Sequence, residues 1–145
     1  MKQSLVALTL LVREYDEAIA WYTRKLGFEL LEDAATDGGK RWVRIGPRGS
    51  SGTALLLAQA KGDAQRAAVG QQAGGRVFLC LHTDDFDGVY AVMKANEVRF
   101  TKEPRYEVYG KVVVFEILYG NRWDFIELRS VDVSGGADRL SFGRR

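Results

Sequence analysis

A single cysteine, a single histidine and two prolines are the full supply of those residues in this chain of 145. With Cys80 alone, no disulfide framework can form within the chain, and the usage suits a reducing compartment. With His82 alone and no nucleophile-elbow pattern, a Ser-His-Asp triad has no support. Charge of one sign is scarce too. The formal net charge is +2, and the basic residues are scattered apart from Arg144–Arg145, so no nucleic-acid partner is expected. Long apolar runs are missing. The stretch 5–12 is interrupted by Thr9 and stopped by Arg13, which is too short for a membrane span, and no small-residue cleavage site follows it. A cytoplasmic protein with no membrane partner is expected. The glycine-bearing loops 47–52 (PRGSSG) and 119–121 (YGN) lack a phosphate-loop signature and read as plain turns.

What is present is ordinary globular material. Hydrophobic residues make up 46% of the chain and charged residues 28%, enough to build a core in one domain or two tightly joined halves. Residues 5–12 suit a strand in length and in Leu/Val content. Alternation places Leu8, Leu10 and Val12 on one face and Ala7, Thr9 and Leu11 on the other. The period then changes. Tyr15, Ile19, Tyr22 and Leu26 recur at intervals of four, three and four, the stripe of an α-helix. Glu14, Asp16 and Glu17 stand at its start and Arg24 and Lys25 at its end, as the helix dipole favours, and Gly27 supplies a left-handed stop. The Leu8/Leu10/Val12 face is expected to pack on that stripe.

Three more strands follow, over 28–31, 41–46 and 53–58, separated by the turn-rich DAATDGGK of 33–40 and the loop PRGSSG. Residues 60–75, AKGDAQRAAVGQQAGG, read as a linker with room for a helical turn. The pattern then repeats. A strand over 76–82 leads to Asp84 and Asp85, which can cap a helix carrying Phe86, Tyr90 and Met93 at intervals of four and three. A short strand over 98–101, a long apolar strand over 111–118 and a final strand over 123–129 complete it, the last two joined at Gly120–Asn121. Thr83 stands to the second unit as Val12 does to the first, an offset of 71 residues (83 minus 12). The chain therefore divides into a first βαβββ module over 1–59, a linker over 60–75, a second βαβββ module over 76–129 and a tail over 130–145. The fold class is α+β, with two tandem modules forming a curved mixed sheet whose helix-free faces line a cleft.

The stretch LTLLVREYDEAIAWYTRKLGF resembles the first module of the vicinal oxygen chelate superfamily, which includes glyoxalases, bleomycin-resistance proteins and extradiol dioxygenases. TDDFDGVYAVMKANEVRFTKEPR, then YGKVVVF and YGNRWDFIEL, resemble its second module, so the likeness runs over about residues 4–129. The superfamily hosts isomerases, lyases, dioxygenases and non-catalytic sequestering proteins on one scaffold, so the resemblance speaks to fold more than to activity.

The resemblance also implies where a metal would sit. Metal-dependent members take a His or Gln from the first strand of each module and a Glu from each last strand. Those positions fall here on Ala7, on Phe78, on one of Thr53, Ala54 or Leu55, and on Asp124. Only Asp124 is a ligand-type residue, whereas a divalent first-row ion needs about three or four N, O or S donors. No metal and no other cofactor is expected.

The expected ligand-binding set is Ala7, Thr9, Trp42, Arg44, Phe78, Cys80, His82 and Asp124. Phe78, in place of a polar ligand and in alternation with Cys80 and His82, is expected to make the cleft apolar and suited to a flat or aromatic ligand. Cys80 reads as a structural thiol, because apolar surroundings make a poor nucleophile. His82 and Asp124 are the candidate acid–base groups, set against a solvated strand-end histidine and an aspartate paired with an arginine. Glu116 and Glu127 read as solvated or salt-bridged strand carboxylates. Trp42, Phe115 and Trp123 are strand aromatics of the kind usually found in cores. Arg44 and Arg105 are the arginines that could meet an anionic ligand, with Arg105 in a solvated loop as the plainer expectation.

The leading expectation is a homodimer that holds a small, partly aromatic molecule without a metal. The alternative is an enzyme of the same superfamily, a lyase, isomerase or dioxygenase, that uses Asp124 and His82.

Overall fold

A computed structural model describes residues 1–129; the expected tail over 130–145 lies outside the described residues. Strand β1 (Ala7–Val12) leads into helix α1 (Tyr15–Lys25). Strands β2 (Glu29–Ala35), β3 (Arg41–Gly46) and β4 (Ala54–Gln59) complete a four-stranded mixed sheet in the order β1-β4-β3-β2, with β1 parallel to β4. After α2 (Gly62–Ala68) the second unit runs β5 (Val77–His82), α3 (Phe86–Ala95), β6 (Arg99–Phe100), β7 (Arg105–Glu107), β8 (Gly110–Glu116) and β9 (Arg122–Leu128). Its sheet has the order β5-β9-β8-β6, with β7 also on β8, and β5 is parallel to β9.

Local chemistry sets the helix ends. The Glu14 carboxylate accepts the backbone N–H of Asp16 at 3.1 Å and of Glu17 at 2.7 Å, satisfying donors that no turn precedes. At the other end Gly27 takes φ 67°, a conformation side chains resist, and lets the Phe28 N–H donate to the Tyr22 carbonyl at 3.0 Å. For α3 the Asp85 carboxylate accepts from Gly88 N at 3.1 Å, and Glu127 of β9 accepts from Phe86 N at 2.8 Å.

The expected packing of β1 on α1 is present, with one shift. Leu10 and Val12 are buried beneath Tyr15, Ala18 and Tyr22, while Ile19 and Leu26 are half-buried at the edge of the core. Two strand expectations differ from the structure. Strand β2 runs on through Asp33 to Ala35, because its ladder with β3 continues past a register shift at Leu30/Glu32. Residues after Pro104 form the extra strand β7 along β8.

The helix-bearing faces of both sheets share one core. Tyr22 of α1 lies 6.0 Å from the Trp123 ring of β9, and Phe28 lies 6.0 Å from the same ring. Phe86 stacks on Phe125 at 5.1 Å. Aromatic contacts of this kind add to the area they remove from water. These faces meet, and among the described residues the helix-free faces border hollows of their own. Thr9, Trp42, Leu56 and Ala58 border a hollow of about 290 Å³ on the first sheet. Cys80 borders a separate one of about 470 Å³ on the second.

The linker is fixed to both halves. The Gln72 side-chain amide donates to the Thr9 carbonyl at 3.1 Å and accepts from Leu11 N at 2.7 Å, occupying the free edge of β1. The backbone N–H of Gln72 donates to the buried Asn121 side chain at 3.2 Å.

Candidate functional site

Strand alternation explains where most of the expected residues fall. Ala7 and Thr9 are exposed on the helix-free face of β1. Pairing of Thr9 with Leu56 and of Leu56 with Arg44 carries that face across β4 to β3, where Arg44 is half-buried and Trp42 is 44% exposed. Both β3 side chains are held from β2: the Glu32 carboxylate accepts from Trp42 Nε1 and from Arg44 Nε, each at 2.8 Å. These hydrogen bonds, Arg44's first and Trp42's second, hold the Glu32 carboxyl below its ordinary range. The next carboxylate along, Asp33, is lowered by its bonds to Arg41, which also bridges to Asp16 at 2.9 Å.

On the second sheet, Cys80 and His82 are exposed on the helix-free face of β5. Their ladder partners on β9 are Asp124 and Ile126, both buried, with Asp124 wholly so. The strip through Val112, Asp124 and Ile126 is therefore closed, while its rim at Cys80, His82 and Arg122 is open. Phe78 sits where the β5–β9 ladder shifts register between Val77 and Leu79. A bulge re-aims the residue it displaces, and Phe78 is half-buried against the common core. Ala7 is thus exposed on β1, whereas Phe78 is half-buried against the core.

The carboxylates set aside from the sequence have structural partners. Glu116 faces Arg99 at 3.6 Å, and Glu127 caps α3. Phe115 and Trp123 are core residues. Among the described residues, no three His, Cys, Asp or Glu side chains converge in a way that could hold a metal ion. Ala7 and Phe78 carry no donor atom, and the Thr53 hydroxyl is engaged with the Leu5 carbonyl at 2.6 Å, so the residues at the superfamily's metal positions do not fit a divalent ion.

Sequence reasoning missed an apolar hollow of about 160 Å³ at the seam of the two sheets. Leu8, Phe28 and Leu55 line it from the first module, and Leu79, Leu81 and Trp123 from the second. Trp123 is 2% exposed, and its indole N–H has no acceptor among the described residues. In the sequence, Leu8 and Trp123 read as helix-facing strand residues, and Leu55 as one of three candidates for a ligand position. Only the meeting of the modules leaves space between them. Cys80 also lines this hollow, so it borders both the apolar space and the larger one beside it.

This duplicated βαβββ architecture defines a class, and the class has a family. The chain belongs to the Glyoxalase/Bleomycin resistance protein/Dioxygenase superfamily, whose sequence model matches residues 4–125. Over 129 residues it is 50% identical to an uncharacterized protein of Shewanella frigidimarina (strain NCIMB 400), an alignment covering 88% of this chain and 96% of that one. Among solved structures it is similar to UcmS2, with a TM-score of 0.75 and 27% identity, covering 87% of this chain and 98% of the other. TnmS3, an antibiotic binding protein from Streptomyces sp. CB03234, shares the fold with a TM-score of 0.72 at 23% identity, covering 88% and 98%.

Proposed function

We propose that this protein binds a small, partly aromatic molecule in an apolar site without a metal centre, and that it does so as a cytoplasmic homodimer. The observation that carries this reading is the seam hollow: largely apolar walls from both modules around about 160 Å³ of space. A dry cavity of roughly 150 Å³ is known to take a benzene-sized guest. The antibiotic-binding role of TnmS3 is in keeping with small-molecule capture on this scaffold.

The exposed helix-free faces support the dimer reading. Thr9, Trp42, Cys80 and His82 line helix-free surfaces that point away from the shared core, and a second copy would bring a first-sheet face against a second-sheet face. No helix among the described residues is long and apolar enough to cross a membrane.

Thermal unfolding with phenol and indole tests the reading, because a ligand that binds only the folded state raises Tm. A rise in Tm that Leu79→Trp removes, by filling the hollow, is expected. Unchanged Tm across single-ring aromatics would end it. Turnover of a glutathione hemithioacetal, catechol or epoxide, lost in Asp124→Ala, would favour an enzyme instead.

A further inference from the structure

The larger hollow beside the seam is built from cations. Arg76 at the end of the linker, Lys102 and Arg105 on either side of Pro104, and Arg122 at the start of β9 all line a space of about 470 Å³. These four come from three separate parts of the chain, so the sequence shows no basic run and only the topology gathers them. No carboxylate lines the space. Arg105 has Glu107 at 3.3 Å, and Arg122 donates to the Gly75 carbonyl; no ion pair within 4.0 Å involves Arg76, Lys102 or Arg122 among the described residues. Asp124 lies across the ladder from Cys80 but is wholly buried and forms no part of the lining. Like charges gathered in a concave space raise a positive potential that concentrates anions, and guanidinium groups bind oxyanions through paired N–H donors.

We infer that the ligand is an aryl oxyanion, its ring in the seam hollow and its phosphate, sulfonate or carboxylate in the basic hollow, with Cys80 at the junction. This rests on the small-molecule reading above and adds the charge. The two hollows share Cys80 as a lining residue and so lie beside one another.

Calorimetric titration with phenol, phenyl phosphate and inorganic phosphate tests it, together with the rate at which neutral iodoacetamide alkylates Cys80, the chain's only thiol. Phenyl phosphate should bind at least about tenfold more tightly than phenol, a difference of about 1.4 kcal/mol. It should weaken as ionic strength rises from about 0.01 M to about 0.1 M. It should also slow Cys80 alkylation. The double variant Lys102→Gln/Arg105→Gln should lose that advantage while binding phenol as before, with its fold checked by circular dichroism; Arg76→Gln should lose part of it. Equal binding of phenol and phenyl phosphate would overturn the inference and leave the apolar site standing. So would an advantage that survives the double variant. No heat from phenyl phosphate or phenol would overturn both readings. Heat from both phosphates, with none from phenol, would keep the anion site and remove the aromatic one.

Discussion

One carboxylate oxygen of Glu32 accepts from both Trp42 Nε1 and Arg44 Nε at 2.8 Å, so an edge-strand residue fixes the two largest side chains on the helix-free face of the first sheet. Removing it with Glu32→Ala should free both. The Trp42 indole proton should shift upfield in an NMR spectrum and exchange faster with water, while that of Trp123, buried at the seam, stays where it is. An unchanged Trp42 resonance would show that the bond is absent in solution.

Acid should weaken the same corner. Glu32 and Asp33 have carboxyls held below their ordinary range in the folded chain, chiefly by hydrogen bonds from Arg44 and Arg41 respectively. Protons therefore favour the unfolded chain. The stabilisation is complete above the ordinary carboxylate pKa of about 4 and is lost as pH falls through the lower folded values. Urea midpoints measured between neutral pH and about pH 3 should fall less steeply in Glu32→Gln/Asp33→Asn than in the parent chain.

Gly70 should tolerate no side chain. It has φ 78°, and a Cβ there would run into the Tyr119 carbonyl, itself held in a turn at φ 85°. Gly70→Ala should cost about 2 kcal/mol or more, from positive-φ strain plus backbone displacement, read as a lower urea midpoint.

Trp123 should be replaceable by a ring but not by a stub. Trp123→Ala removes the contact shared with Tyr22, Phe28 and Phe115 and should cost about 3–5 kcal/mol. Trp123→Phe keeps a ring and discards a buried donor that has no acceptor among the described residues, so it should cost less than half as much.

Metal should be neither retained nor needed. Elemental analysis of protein purified without chelator should find less than one equivalent of zinc, nickel, manganese or iron, and adding those ions should leave Tm unchanged. One equivalent bound, with activity lost on its removal, would contradict the reading.

The fold was legible because its signals are local and repeated. The helix stripe beginning at Tyr15, the Gly27 stop and the Asp85 cap each dictate an element without reference to the rest of the chain. Much less of the site could be read. Alternation placed Thr9, Cys80 and His82 on helix-free faces, whereas Trp42, a strand aromatic of the kind expected in a core, lies exposed on such a face because Glu32 satisfies its indole N–H there. It could not foresee the register shift beside Phe78, which depends on the partner strand β9. Nor could it see that Leu8 and Leu79, far apart in sequence, leave space between them, or that Arg76 and Arg122 share a hollow. Such features belong to how the halves meet.

Gln72, its side-chain amide seated on the backbone of β1 and its backbone N–H donating to the Asn121 side chain, gives the joint between the halves no freedom to act as a hinge. With the Tyr22–Trp123 contact beside it, neither half can melt while the other keeps its interior dry. Heating should therefore produce one cooperative transition, with the calorimetric enthalpy equal to the van't Hoff value, from a chain whose sequence is written twice.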